Sequence, residues 1–434
     1  MFLVTLFFQN CSEQGFETQS SKSPAASATP QLPTSTPNPT TPNPQPMTPP
    51  TPPVPAPSPT PSTATPSLNR TTFLTGLDQP WDMAFTSDNH MFFTEKCLGL
   101  SVRRPDGTVV RLFGTAGSAL VANDFFCQGQ SGMNGVAIDP NFSSNRFVYV
   151  YMSSNLSANP RTNRVVRLAV AANYASVSNR TDIISDISFK HVGNNWGGAG
   201  AHSGGRLRFG PDGYLYVTTG DNHNGTLPQD LQRLGGKVLR VDRNGAAAPG
   251  NKTPAGGDPR IFTYGHRNIQ GITFRGNQVF TAEHGPGHTD EVNLLVAGGN
   301  SGWDPAPESG VTCSDNYCGY VSNKIDGTLT PMTDTQKFPN AFRPLWTNNG
   351  MSQGTGPLTF VTGPQWKAWD GRLLVGIMGN TRLAVLQVNA AGELTNAVNA
   401  NISANRYRSL VQGPDGNLYI AAESADEIWR VVPQ

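Results

Sequence analysis

The chain has 434 residues, with 31 Lys plus Arg against 30 Asp plus Glu and a formal net charge of +1. No basic block stands out, so the composition argues against a nucleic-acid-binding protein, which needs a clustered excess of cations. Residue usage is uneven along the chain, and the elements are best taken in order.

The first eight residues, MFLVTLFF, are apolar apart from Thr5, and Cys11 follows. The run is too short to span a bilayer, which takes about 20 residues. It reads instead as the back half of an export signal ending at a cysteine that accepts a lipid. Residues 1–20 are therefore expected to direct export, to a periplasmic or cell-surface location, with Cys11 as the membrane attachment. Two details fit poorly: there is no basic n-region, and Gln9-Asn10 is not a pair of small residues. Residues 21–68 are almost wholly Pro, Thr, Ser, Ala and Asn. Such a segment buries too little apolar surface to offset its chain entropy, and it reads as an extended disordered linker. Residues 69–434 form the globular part.

Cysteine usage supports export. Of five cysteines, Cys313 and Cys318 lie close together in a polar loop, CSDNYC, and Cys97 and Cys127 lie in the first two repeats described next. Two disulfides, Cys313 with Cys318 and Cys97 with Cys127, leave Cys11 as the odd one. A zinc site at Cys313 and Cys318 is disfavoured, because no second Cys pair or His pair is nearby.

A strand–turn–strand pattern then recurs six times. The copies begin at Met83, Val136, Arg206, Ile272, Leu358 and Leu410, as in RLRFGPDGYLYVTTGD and LVQGPDGNLYIAAE. Alternating β-branched and aromatic residues mark strands, and the Asn and Gly turns mark hairpins. A further strand candidate follows each copy, such as GKVLRVD or DEIWRVV. The expected fold is all-β: a six-bladed β-propeller of four-stranded antiparallel blades, with no long amphipathic helix. Residues 71–77 are expected to lend a strand to the last blade and close the ring. Ligands of propellers sit at one end of the channel, on loops between blades. The polar clusters lie in such loops: FFCQGQSG, WGGAGAHSGG, GDNHNG, YGHRNIQ, EHGPGHTDE and NRYRS.

The densest stretch is Tyr264 to Trp303. It brings His266, Arg267 and Asn268 close to His284-Gly285-Pro286 and Asp290-Glu291. Bare Gly and Pro beside carboxylates suit a hard cation, since carbonyls turn inward and carboxylates supply charge. An Arg–Asn pair one strand earlier suits an anionic ligand.

These clusters, in this order, resemble the soluble quinoprotein sugar dehydrogenases, the family of glucose and aldose sugar dehydrogenases that use pyrroloquinoline quinone (PQQ) and calcium. GQSGMNGVAIDPNF resembles the family's GQGGLLDVALHPDF. HSGGRLRFGPDGYLYVTTGD, YGHRNIQG, EHGPGHTDEVN and NRYRSLVQGPDG also resemble family elements. The resemblance runs from about Leu77 to Val432. It implies oxidation of the anomeric carbon of a sugar to a lactone, with electrons passed on to an acceptor that the residues do not name. It implies that His202 is the catalytic base and that Asp221 sits beside it. Gln130, Arg267, Asn268, Arg406 and Arg408 fall at positions that hold the quinone. The carbonyls of Gly285 and Pro286 fall at the calcium beneath the quinone, and Glu291 and the carbonyl of Ser301 at a second, structural calcium. The family often has a Lys on the quinone in the fifth repeat, where Gly379 stands here. Arg382 is expected to reach in instead, with Asn380 the other candidate.

The residues by themselves are consistent with that chemistry. A neutral His is available near pH 7 to take a hydroxyl proton, and an acidic neighbour fixes its tautomer. Three arginines have an obvious partner in a tricarboxylate. The other histidines, His90, His191, His223, His266, His284 and His288, read as loop or supporting residues. Two other functions share the fold: a calcium-dependent lactonase, which the arginines argue against, and a non-catalytic ligand-binding module.

Overall fold

The computed structural model describes residues 63–434, apart from 158–160, 191–196, 349 and 380. The export segment with Cys11, most of the linker, His191 and Asn380 lie outside the described residues.

Six antiparallel sheets follow one another along the chain. Their first strands are Pro80–Phe85, Met133–Ile138, Leu207–Phe209, Ile269–Arg275, Thr355–Val361 and Tyr407–Gln412. Each first strand packs against the first strand of the next sheet, and the sixth packs back on the first. This closes a six-bladed β-propeller. Five sheets have four strands, and the first gains a short fifth strand, Leu120–Val121, in parallel pairing. The outer strand of the sixth blade comes from the other end of the domain. Leu68–Leu74 pairs with Glu427–Pro433, so the closing strand starts slightly earlier than the expected 71–77. Ser67 and Gln434 exchange two backbone hydrogen bonds at its start.

Alternation along the strands explains why the sheets stack. Successive side chains point to opposite faces. On Phe147–Ser154, Val148, Val150 and Met152 pack toward the first blade, while Tyr149 and Tyr151 pack toward the third. Each blade interface is thus filled by its own apolar cluster, and a blade in isolation would leave both faces wet. The longest described helical segments are a 3-10 stretch, Pro364–Trp369, and a single α-turn, Phe142–Asn145. Both expected disulfides form, Cys97–Cys127 and Cys313–Cys318. The first ties the hairpin turn of the first blade to the link into the second.

Candidate functional site

One end of the channel opens into a cavity of about 490 Å³. Its walls come from the links between blades. Gln130 precedes the second blade, His202 the third, Arg267 and Asn268 the fourth, and Arg406 the sixth. Arg408 lies on the first strand of the sixth blade, and His284 and Gly285 follow the second strand of the fourth. Residues far apart in the chain meet here because every blade starts at the same end of the channel.

His202 is 6% exposed and sits in the left-handed backbone region, with φ 52°. Its Nδ1 lies 2.7 Å from Asp221 Oδ1. Asp221 is fully buried and also accepts from Trp303 Nε1 at 2.8 Å and from the His223 backbone N–H at 3.0 Å. With Nδ1 donating to the carboxylate, the basic lone pair of His202 is at Nε2. Burial above all, then the charges of Arg267, His284 and Lys190, holds the imidazole pKa well below its usual value. Burial pushes Asp221 up, against the pull of His223, Arg267 and its donors. Gly220 makes the close approach possible: a Cβ there would lie 2.1 Å from the His202 carbonyl oxygen.

The residues expected to hold an anion line the same cavity, and Arg267, Asn268 and Gln130 lie close to the His202–Asp221 pair. Arg267 is 2% exposed, donates from Nη1 to the His284 carbonyl at 2.9 Å, and has a buried Nε with no acceptor. Asn268 Oδ1 accepts from the Gly204 N–H at 3.2 Å and from Gln270 Nε2 at 3.0 Å. Gln130 Oε1 accepts from the His202 N–H at 3.4 Å. Arg406 and Arg408 share one carboxylate, donating from Nε to Glu423 Oε2 at 2.7 and 2.9 Å.

The metal-ligand candidates fall in two places. A Cβ at Gly285 would lie 1.8 Å from the His288 carbonyl oxygen and 2.6 Å from that of Thr289. Only glycine fits, and carbonyl oxygens crowd the turn that Pro286 continues. Asp290 holds this turn: it accepts from the Gly285 N–H at 2.9 Å, and its other oxygen accepts from the Gln353 and Thr355 N–H groups. Glu291 is 1% exposed and lies beside Glu283, which is fully buried. Burial and then the Glu283 charge raise the Glu291 pKa to about 8. Ser301 Oγ reaches Glu283 at 3.4 Å, so Glu291 and Ser301 converge on the same buried carboxylate. Among the described residues, no three His, Cys, Asp or Glu side chains form a metal-ligating group. A cation here would need backbone carbonyls in addition to carboxylates such as Glu291.

Arg382 does not reach the cavity. Its guanidinium donates to Gln353 Oε1 at 2.7 Å and to Asn399 Oδ1 at 2.6 Å. Gly379 donates its N–H to the Gln353 carbonyl at 2.6 Å, and a Cβ would lie 2.6 Å from that oxygen. A lysine placed at 379 would have to move the backbone. The ammonium that faces the cavity belongs to Lys96, which donates to Gln79 Oε1 at 3.2 Å. Sequence reading passed over Lys96, Trp303 and Tyr320, the last also lining the cavity. Only for Tyr320 was there a local signal, the disulfide beside it.

The model of the glucose/sorbosone dehydrogenase family matches residues 77–430. The chain belongs to that family. Within the glucose/sorbosone dehydrogenases it is 27% identical over 370 residues to aldose sugar dehydrogenase YliI of Escherichia coli K12, covering 82% of this chain and 91% of the relative. It is 26% identical over 434 residues to quinoprotein glucose dehydrogenase B of Acinetobacter calcoaceticus, covering 84% and 87%. The PQQ-bound aldose sugar dehydrogenase of Streptomyces coelicolor shares the fold, with a TM-score of 0.64 at 22% identity, covering 86% of this chain and all of that one. Membership makes the chain an oxidoreductase of the glucose/sorbosone dehydrogenase family.

Proposed function

We propose that the cavity binds PQQ and a sugar, and that the chain oxidises an aldose at the anomeric carbon to a lactone. The observation that carries this reading is the His202–Asp221 pair opening onto the same cavity as Arg267, Arg406 and Arg408. The donor set fits the cofactor. PQQ has three carboxylates, and Lys96 joins the three arginines in the wall, where Glu423 is the one acidic residue among the described residues. The orphaned Nε of buried Arg267 fits a group that still needs an acceptor. The crowded carbonyls at Gly285 and the Glu291–Glu283 pair fit hard cations.

When bound, PQQ supplies the acceptor for the hydride leaving the sugar, and calcium at the Gly285 and Pro286 carbonyls supplies a Lewis acid. The chain does the rest. His202 Nε2 takes the hydroxyl proton, Asp221 fixes the tautomer and stabilises the imidazolium, and the cationic wall holds carboxylates in place. Gln130 and Asn268 position polar groups at the floor. The same proposal places the protein outside the cytoplasm, attached at Cys11. The two disulfides support it, because such bonds persist in oxidising compartments. Mass spectrometry of the membrane fraction tests the lipid.

Titrating purified protein with PQQ and calcium tests the function. A bound-quinone absorption band with dye reduction by aldoses supports it. Binding without reduction points to a ligand-binding module, lactone hydrolysis without quinone binding points to a lactonase, and absence of binding overturns the reading.

Two expected results belong here. Lys96→Met should weaken PQQ binding by about 1.5–3 kcal/mol, the scale of a charge-assisted hydrogen bond, whereas Arg382→Ala should leave it unchanged. Isothermal titration of both variants checks this, and the reverse ranking would remove Lys96 from the quinone. Calcium added to chelated protein should raise the melting temperature, by about 2.7 kcal/mol of stability at a hundred times its dissociation constant. An unchanged transition would count against both cation sites.

A further inference from the structure

Lys237 opens the third strand of the third blade, Lys237–Val241, and is fully buried. Its Nζ donates to three carbonyl oxygens, those of Leu227 at 2.7 Å, Pro228 at 3.1 Å and Gly235 at 2.6 Å. No carboxylate is among these partners, although a buried charge is ordinarily paired with an opposite one because desolvation is costly. The three acceptors indicate the protonation state. An ammonium has three N–H donors, one for each oxygen, whereas a neutral amine has two and a lone pair that would face the third oxygen. Burial pulls the Lys237 pKa down to about 7, with Asp230 opposing and Arg233 adding to the shift. The three oxygens favour the charged form.

All three carbonyls belong to the loop that carries Asp221. It leaves the second strand of the blade, Leu215–Thr218, and returns at Lys237. Thr219 pins its two ends: the Thr219 N–H donates to the Lys237 carbonyl and Thr219 Oγ1 accepts from the Lys237 N–H, both at 2.9 Å. Hydrogen bonds then run from the carbonyl cradle to the carboxylate. The Leu227 N–H donates to the Asn224 carbonyl at 3.2 Å, and the Asn224 N–H to the Asp221 carbonyl at 2.8 Å. The Gly236 N–H donates to the carbonyl of Gly220, the neighbour of Asp221, at 2.8 Å. Gln229, beside Pro228, donates from Nε2 to the Trp303 carbonyl at 2.8 Å, and Trp303 Nε1 holds the second oxygen of Asp221.

We propose that the Lys237 ammonium is a tethered cation that assembles this loop and so acts as a positioning residue for the sugar oxidation, setting where Asp221 meets His202. The proposal rests on the sugar-dehydrogenase reading above. Converging backbone carbonyls are what proteins use to hold free metal cations; here the cation is covalently attached and cannot be lost. Lys237 does not line the cofactor cavity, so it acts only through the loop. Without the ammonium, three oxygens would face one another with no donor between them, and the loop would have to open to find water.

The test uses the full chain loaded with PQQ and calcium. Lys237→Ala removes the equivalent of n-propylammonium. Turnover should fall about 100-fold, the scale of a catalytic group displaced by about 1 Å, while PQQ affinity holds. Added n-propylammonium should restore turnover, and n-propanol, of the same length without the charge, should not. Restoration by both would make the side chain mere packing and overturn the proposal, as would unchanged turnover or an equal loss of PQQ affinity. If Lys237→Ala does not fold, wild-type protein decides: by ¹⁵N NMR Lys237 Nζ should be a slowly exchanging ammonium at about pH 6, below its pKa of about 7, and a neutral or freely exchanging amine would overturn the proposal. A wild-type protein whose quinone no sugar reduces would overturn the underlying function instead. Quinone-free protein then decides the loop. The His202 Nδ1 proton held by Asp221 should give a ¹⁵N-coupled signal that Lys237→Ala removes and n-propylammonium restores, and a signal indifferent to both would overturn it.

Discussion

His202→Ala is expected to lower sugar turnover by about 10²- to 10⁴-fold while leaving PQQ affinity intact, the range for loss of a positioned general base. The imidazole is neutral and bonded to Asp221, whereas the cationic groups that suit the quinone carboxylates belong to Arg267, Arg406, Arg408 and Lys96. Removing the imidazole should therefore spare binding. Steady-state rates with several aldoses, beside PQQ titrations, check both halves, and near-normal turnover would remove His202 from the base role. The sign of the pH dependence follows from burial. Because burial and then Arg267, His284 and Lys190 hold the imidazole neutral, the acid limb of the wild-type rate should fall below pH 6.5, the usual His value. Rate profiles against pH locate that limb, and a limb above 6.5 would contradict this account of the site.

The largest expected effect on stability lies away from the chemistry, at Asp82. This carboxylate is 1% exposed, on the first strand of the first blade. It contacts Arg206 Nη1 at 2.5 Å and Arg208 Nη1 at 2.8 Å, both from the third blade. It also accepts from Ser409 Oγ of the sixth blade at 2.8 Å and from the Val136 N–H of the second at 3.1 Å. Arg206 in turn donates to the Gln270 carbonyl of the fourth blade at 3.1 Å and the Arg408 carbonyl at 2.7 Å. Burial alone would raise the Asp82 pKa. The charges of Arg206 and Arg208, with hydrogen bonds from Arg208 and Ser409, bring it down to about 2. A depressed carboxylate contributes stability above its unfolded pKa, about 3.9, and that contribution is lost as pH falls toward 2. Asp82→Ala would strand buried Arg206 without its anion, which costs about 3–5 kcal/mol for a broken buried pair. Urea unfolding should show the loss as a lower midpoint, and an unchanged midpoint would mean that the blades hold the channel closed without this tie.

Much of this protein was legible in the sequence because its signals are local. Alternating strands and PDG turns, as in RLRFGPDGYLYVTTGD, are consequences of backbone geometry over a few residues. They marked the six blades, and the ordered loop clusters marked the end of the channel where His202, Asp221 and Arg267 meet. The cysteine pairing was readable because neighbouring positions in a repeat fold are neighbours in space.

Other features depended on where the closed ring brings distant residues. Lys96 carries no signal in FFTEKCLG; it faces the cavity because the first and sixth blades meet, which places it near Arg408 and Glu423. Arg382 looked close enough in sequence to replace a lysine at Gly379, yet Gln353 and Asn399 hold its guanidinium. His223 read as a loop residue until the structure set it between Lys190 and His202, 33 positions from one and 21 from the other. Asp82 and Ser409 are 327 positions apart and touch at the channel. Sequence alone determines which strands form and on which side each residue points. Which charges share a cavity, and which buried ions meet across the channel, is set by ring closure, since Coulomb and hydrogen-bond energies depend on separation in space, not along the chain.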